Sequence, residues 1–275
     1  MLLIIGGSSK IAKFIKGFFN EESLFFTDKK KGFDYLLDLE NLDHINFDNR
    51  ISHAIFLAAI TNIEYCNNNE TKARMINGIN TIDLIHRLNK KGIKVIFPSS
   101  TCVFSSKSKV ENFEFSNTNA DNIYGQIKAE VEKEILKNKL NTVLRISKII
   151  CPNDLLLTSW KNALKKKEKI FAFNDLRLAP TSVYSVAAYI QKWYKSDFNG
   201  IFHLSPSSDI SYFQFAEKLA SYMLVDKSLV KSESLVNSKK KIIYKPFKSY
   251  LCCTSPHSME LEIDNEIKKI FKGLI

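Results

Sequence analysis

Short apolar runs bounded by turn residues alternate with helix-period segments through the first two thirds of the chain. That alternation restricts the fold more than any other feature. Leu2–Ile5, Leu24–Thr27, His53–Leu57, Val95–Phe97 and Thr142–Ile146 read as strands. Between them Lys10–Phe19, Glu70–Leu88 and Asp121–Lys137 read as helices, the last with Asp121 or Asn122 as its N-cap. Strands joined through helices pair in parallel, so the expected class is α/β, a doubly wound parallel sheet with helices on both faces. Beyond Cys151-Pro152 the pattern loosens. Leu155–Leu164, Val183–Tyr194, Ser211–Met223 and Glu260–Phe271 read as helices, Gly200–Leu204 as a strand that rejoins the sheet, and Ser232–Lys241 as a flexible loop. The expected division is a first domain over 1–150, rejoined by a strand near 182–204, and a small α/β lid from 151–180 and 205–275.

Composition narrows the class. The net charge of +11 comes from lysines in separate short runs, Lys29–Lys31, Lys90-Lys91, Lys165–Lys167 and Lys239–Lys241. No nucleic-acid-reading motif accompanies them, so solvated surface and attraction of polyanionic small molecules are the expected roles. The apolar run at Leu2–Ile5 ends at Gly6 and lacks a basic flank, which predicts a first strand rather than a signal peptide. No run approaches the roughly 18 apolar residues of a membrane span. The five cysteines show no metal-ligand spacing, so reduced thiols, no metal and a cytoplasmic location are expected.

Two places carry chemistry. Gly6-Gly7-Ser8-Ser9-Lys10-Ile11 lies between a strand and a helix, where amides and the helix dipole can meet a pyrophosphate. The G-x-x-G-x-x-G pattern is degraded, with Ser9 and Ala12 in the second and third glycine positions; an ordinary strand–helix turn is the competing reading. Asp28 ends the second strand 22 positions after Gly6, near the spacing of an acid that takes a ribose 2′-hydroxyl of NAD. Lys29-Lys30-Lys31 follow at once and suit the 2′-phosphate of NADP, so the cofactor reads as NAD or NADP. The second place is Tyr124-Gly125-Gln126-Ile127-Lys128 with Ser100 upstream. Tyr and Lys four apart share a helix face, and a neighbouring ammonium together with a nicotinamide cation would move the phenol pKa toward neutrality. Alone, this spacing is also that of a solvated aromatic–cation pair.

Together these residues resemble the extended short-chain dehydrogenase/reductase superfamily, in its dTDP-4-dehydrorhamnose reductase-like branch. Asp34-Tyr35-Leu36-Leu37-Asp38-Leu39 is similar to the family segment that ends in an acid near the adenine, and Phe56-Leu57-Ala58-Ala59-Ile60-Thr61-Asn62-Ile63-Glu64 to its strand and alanine pair beside the adenosine ribose. Asn77, Ser99-Ser100-Thr101-Cys102-Val103-Phe104, Leu144-Arg145, Ala179-Pro180-Thr181 and Gly200-Ile201-Phe202-His203-Leu204-Ser205 match later landmarks. The resemblance implies a Rossmann-type fold and an NAD(P)-dependent oxidoreductase acting on a nucleotide-activated sugar, most simply a 4-keto reductase in surface-polysaccharide synthesis. It makes Ser100, Tyr124 and Lys128 catalytic, and places Gly6 to Ile11, Asp28, Lys29, Asp38, Leu39, Ala58, Ala59, Tyr124 and Lys128 at the cofactor. Thr101, Cys102 and Thr181 fall to the substrate, and a homodimer is a candidate assembly. A nucleotide-sugar dehydrogenase or epimerase, and a non-catalytic dinucleotide-binding regulatory subunit, stay as alternatives.

Cys102 needs separate weighing, because Ser-Thr-Cys-Val resembles the Ser-Ser-Cys-Ile segment of GDP-L-fucose synthase, where the cysteine is an epimerisation base. That chemistry needs a partner acid, and no histidine lies between Cys151 and Thr181. A passive pocket wall is the expectation. Ordinary structural roles are expected for His44, His53, His86 and His203. Trp160 suits either the lid core or the sugar pocket.

Overall fold

Leu2–Ile5 shows how the chain builds a sheet buried on both sides. Leu3 and Ile5 enter one core and Leu2 and Ile4 the other, the two-residue period of a strand between two helical layers. Ala54 and Phe56 divide from Ile55, and Val95 and Phe97 from Ile96, in the same way. The computed structural model describes residues 1–42, 45–196, 198–238 and 242–274. Its first half runs β1 (Leu2–Ile5), α1 (Lys10–Ile15), β2 (Leu24–Asp28), β3 (Tyr35–Leu36), β4 (His53–Phe56), α2 (Ile63–Asn68), α3 (Glu70–Arg74), α4 (Asn80–Lys90), β5 (Lys94–Ser100), α5 (Ile123–Ile135) and β6 (Asn141–Ile146). There follow β7 (Lys148–Ile150), α6 (Leu155–Lys165), β8 (Ile170–Phe173), β9 (Arg177–Leu178), β10 (Pro180–Ser182), α7 (Val183–Lys195), β11 (Gly200–Pro206), β12 (Ile210–Ser211), α8 (Tyr212–Tyr222), β13 (Val230–Glu233), β14 (Met259–Leu261) and α9 (Ile263–Leu274).

Eight strands form one parallel sheet in the order β14-β11-β6-β5-β4-β1-β2-β3. The order reverses between β1 and β4, which opens a crevice at the carboxyl edge beside the β1 turn. One face is covered by α4 and α5 through Leu84, Leu88, Ile127 and Val131, the other by α1 and α7 through Ala12, Ile15, Val186 and Trp193. A third core joins α6, α8 and α9 around Leu157, Trp160, Phe215 and Phe271. Trp160 therefore belongs to this third core.

Several elements differ from their sequence patterns for local reasons. The helix expected over Glu70–Leu88 is interrupted by a π-turn at Met75–Ile79. That insertion aims Asn77 sideways, so its amide brackets Ile60 through both backbone N–H and C=O, each at 2.8 Å. Glu260 begins no helix: Met259–Leu261 pairs with β11, and α9 starts afterwards. Val230–Glu233, partly assigned to a loop, pairs with β8. Lys239–Lys241 and His44 lie outside the described residues. His53 packs edge-on against Trp193, and buried His203 places Nδ1 2.8 Å from the Cys252 carbonyl oxygen. Among the described residues no helix is long and apolar enough to cross a membrane, and no cluster of three potential metal ligands occurs.

Candidate active site

At the crevice the carboxyl ends of β1, β2 and β4 enclose a cleft of about 680 Å³, within the roughly 300–1,000 Å³ usual for ligand sites. It is lined by Gly6, Ser8, Ser9, Asp28, Lys29, Asp38, Leu39, Ala58 and Ala59, nine of the residues singled out from sequence. Gly6 is there by necessity: its φ is +93°, and a Cβ would lie 2.6 Å from the Ala58 nitrogen. Gly6→Ala is expected to destabilise the turn and abolish dinucleotide binding, which a thermal melt and a titration with NADH would check. Gly7 does not line the cleft, since its Cα faces the Phe33 ring.

The degraded turn holds itself together. Thr27 O accepts from Gly6 N at 3.1 Å and Gly7 N at 2.7 Å, Ser9 N donates to Gly6 O, and Ser8 N donates to Asp28 Oδ2 at 2.9 Å. Ser9 Oγ caps α1 by accepting from Ala12 N at 3.1 Å, which leaves its own hydroxyl proton to donate. The Lys10 and Ile11 side chains are outside the lining, but their amides, the first two of α1, have no partner among the described residues. An open groove, two unpaired amides, a hydroxyl and an acid fit the adenosine and pyrophosphate of a dinucleotide. The lining also includes Leu37 and Asn62, which lie within the two family segments, and Thr27, Tyr65 and Lys72, which the sequence patterns did not mark as site residues. Of these Asn62 carries a readable signal, since it N-caps α2 by accepting from Tyr65 N at 2.8 Å.

Ser100, Tyr124 and Lys128 stand further along the same carboxyl edge. Ser100 ends β5, and its Oγ accepts from Cys102 N at 3.2 Å. The Cys102 carbonyl oxygen accepts from Asn122 Nδ2 at 3.5 Å, and Asn122 Oδ1 caps α5 by accepting from Gly125 N at 2.9 Å. Gly125 lets α5 press onto this turn, since its Cβ would fall 1.8 Å from the Cys102 oxygen. Backbone contact thus seats the serine turn against the start of the tyrosine helix. Lys128, 5% exposed, donates to Pro98 O at 2.9 Å, with its ammonium 4.1 Å from the Phe97 ring centre and 5.8 Å from that of Tyr124.

Burial pushes the Tyr124 phenol up, and Cys102 and Cys66 add to the rise. Burial brings Lys128 down to about 8, with Glu132 opposing. Cys102 is 6% exposed and its thiol is pushed up to about 11 by burial, against hydrogen bonding from Ser100 and the charge of Lys148. A thiol so weakly acidic stays protonated near neutral pH. Thr101 is nearly buried, its carbonyl oxygen accepting from Tyr244 Oη at 2.9 Å. Thr181 is fully buried on β10, which pairs with β7, and its hydroxyl lies 2.6 Å from Oγ of Ser147, the residue between β6 and β7.

Sheet order and edge geometry together are those of a Rossmann-type short-chain dehydrogenase/reductase fold. More narrowly, the chain belongs to the RmlD substrate-binding domain family, which its sequence matches over residues 1–265. Among solved structures it is similar to dTDP-4-dehydrorhamnose reductase from Bacillus anthracis in complex with NADP, at 22% identity and a TM-score of 0.82 over 98% of both chains. It is similar also to UDP-glucose 4-epimerase from Thermotoga maritima with UDP-glucose, at 16% identity and a TM-score of 0.78, covering 99% of this chain and 97% of that one. The Yersinia enterocolitica dTDP-4-dehydrorhamnose reductase is 17% identical with a TM-score of 0.75 over 100% of this chain and 99% of its own. At these identities the likeness carries the fold alone. No curated protein sequence matches the chain.

Proposed function

We propose that this chain is a cytoplasmic NAD(P)H-dependent reductase of a 4-keto group on a nucleotide-activated sugar. The observation that carries this reading is the chain of hydrogen bonds from Ser100 through Cys102 to Asn122 and Gly125, which joins the turn after Ser100 to the start of the helix that bears Tyr124 and the buried Lys128. Family membership and the likeness to reductases support it. Residues 1–150 hold the dinucleotide in this reading, and 151–180 with 205–275 hold the nucleotide diphosphate.

A bound dihydronicotinamide supplies hydride to the keto carbon. Ser100 donates its hydroxyl proton in a hydrogen bond to the keto oxygen and orients it. Tyr124 gives that oxygen its proton, a role that a phenol kept protonated by burial suits. Lys128 has two ammonium protons left beyond its bond to Pro98 O, enough to hold a ribose hydroxyl and to stabilise the tyrosinate that forms.

The test is direct. Protein mixed with dTDP-4-dehydro-6-deoxyhexose and NADH or NADPH should consume the reduced cofactor, with a 4-hydroxy sugar nucleotide as product. Tight dinucleotide binding with no turnover of any 4-keto sugar nucleotide would leave a binding subunit instead. Cys102→Ser should keep turnover within about threefold, since a neutral wall thiol takes no part in proton transfer. The same assay in heavy water should place no deuterium at the carbons flanking the ketone; incorporation would mark epimerase chemistry.

A further inference from the structure

We infer that this chain takes NAD(H) in preference to NADP(H), the choice being made by Asp28 against the lysine run that follows it. The inference rests on the cleft being a dinucleotide site, as proposed above. Asp28 ends β2, lines the cleft and is 6% exposed. Each of its oxygens is fixed by backbone: Oδ2 accepts from Ser8 N at 2.9 Å and Oδ1 from Lys30 N at 3.2 Å. Burial works against ionisation, but these hydrogen bonds prevail and hold the carboxyl below its ordinary range.

A pinned carboxylate with lone pairs to spare accepts hydrogen bonds from a ribose diol. Beside a phosphate it is a like charge in a place water screens poorly. Lys29–Lys31 oppose this weakly. Of the three only Lys29 lines the cleft, and all are exposed. Ammonium groups on flexible stems in solvent contribute little, being screened and costly to order.

Moving the acid aside is also disfavoured, because Asp28 holds the glycine turn through Ser8. A 2′-phosphate that displaced the carboxylate would release the Ser8 amide from the same turn that faces the pyrophosphate. The acid therefore acts twice, as a ribose acceptor and as the anchor of a turn short of glycines. The Bacillus anthracis reductase, held with NADP, shares the fold, so the fold alone does not set the preference.

Fluorescence titration of the whole chain with NADH and with NADPH tests this without any sugar substrate. NADH should bind about tenfold tighter or more, and 5′-AMP should displace NADH better than 2′,5′-ADP does. Asp28→Asn should shrink the ratio at least about threefold, mainly by improving NADPH. Lys29→Ala should weaken both dinucleotides alike. Equal or tighter NADPH binding in the unaltered chain would overturn the inference and leave the reductase reading standing. So would an unchanged ratio in Asp28→Asn, or a loss confined to NADPH in Lys29→Ala. Binding of neither dinucleotide would overturn both readings. If Asp28→Asn does not fold, the comparison of the two adenosine phosphates decides the matter in the unaltered chain.

Discussion

Gly125→Ala is expected to lower turnover at least about 100-fold while leaving dinucleotide binding within about threefold. The added methyl would lie 1.8 Å from the Cys102 carbonyl oxygen, 2.6 Å from its carbon and 2.9 Å from the Ala120 Cβ. Two of these neighbours are backbone atoms, so no rotamer change relieves the clash. The start of α5 must move away from the turn at Thr101–Val103 by an ångström or more, carrying Tyr124 from Ser100. Misplacement on that scale is worth roughly 10²-fold in rate. The overpacking should cost about 1–3 kcal/mol of stability, visible as a lower melting temperature. Most dinucleotide affinity survives because neither that turn nor α5 lines the cleft read as taking the adenosine and pyrophosphate, which leaves only the ribose contact of Lys128 to be disturbed. Steady-state kinetics beside an NADH titration would separate the effects. Turnover within tenfold of the unaltered chain would mean that the contact does not position the tyrosine.

The sheet was legible because parallel strands buried on both sides write continuous apolar runs, as Leu2–Ile5 and Val95–Phe97 do. Elements that rest on few residues were not. Tyr35–Leu36 is two residues long and pairs only with the end of β2. Met259–Leu261 is three residues of mixed polarity whose partner, β11, fixes it from outside. The π-turn at Met75–Ile79 leaves no periodic trace, since the helix on either side keeps its apolar stripe. At the site, residue types at fixed spacing announced Ser100, Tyr124 and Lys128. Their environment stayed hidden, because burial by Phe97, Cys66 and Cys102 depends on distant segments. Burial is also what raises the phenol's pKa in the chain itself. The setting of Thr181 was hidden for a related reason: a hydroxyl after a proline reads alike whether it faces solvent or, as here, a buried serine between two strands.

Tyr124→Phe should lower turnover by about 10²–10⁴-fold, the range of a lost general acid, with NADH affinity nearly unchanged. The pH profile then assigns the remaining roles. Lys128 carries its proton below about 8 and is neutral above it. A reductase that needs the ammonium should therefore hold a flat kcat/KM for NADH at lower pH and lose it, about tenfold per pH unit, above 8. Tyr124 adds no limb in that window, because burial keeps its proton in place. The descent is not unfolding. A lysine whose pKa falls from 10.5 to about 8 on folding destabilises the native state while charged, and that cost is relieved as pH rises between the two values. Stability from this group thus rises while activity falls. Lys128→Met should remove the descent along with most of the activity. A profile in Lys128→Met that still falls near pH 8 would assign the titration to another group, and one in the unaltered chain that falls near pH 6 would return the phenolate to the mechanism.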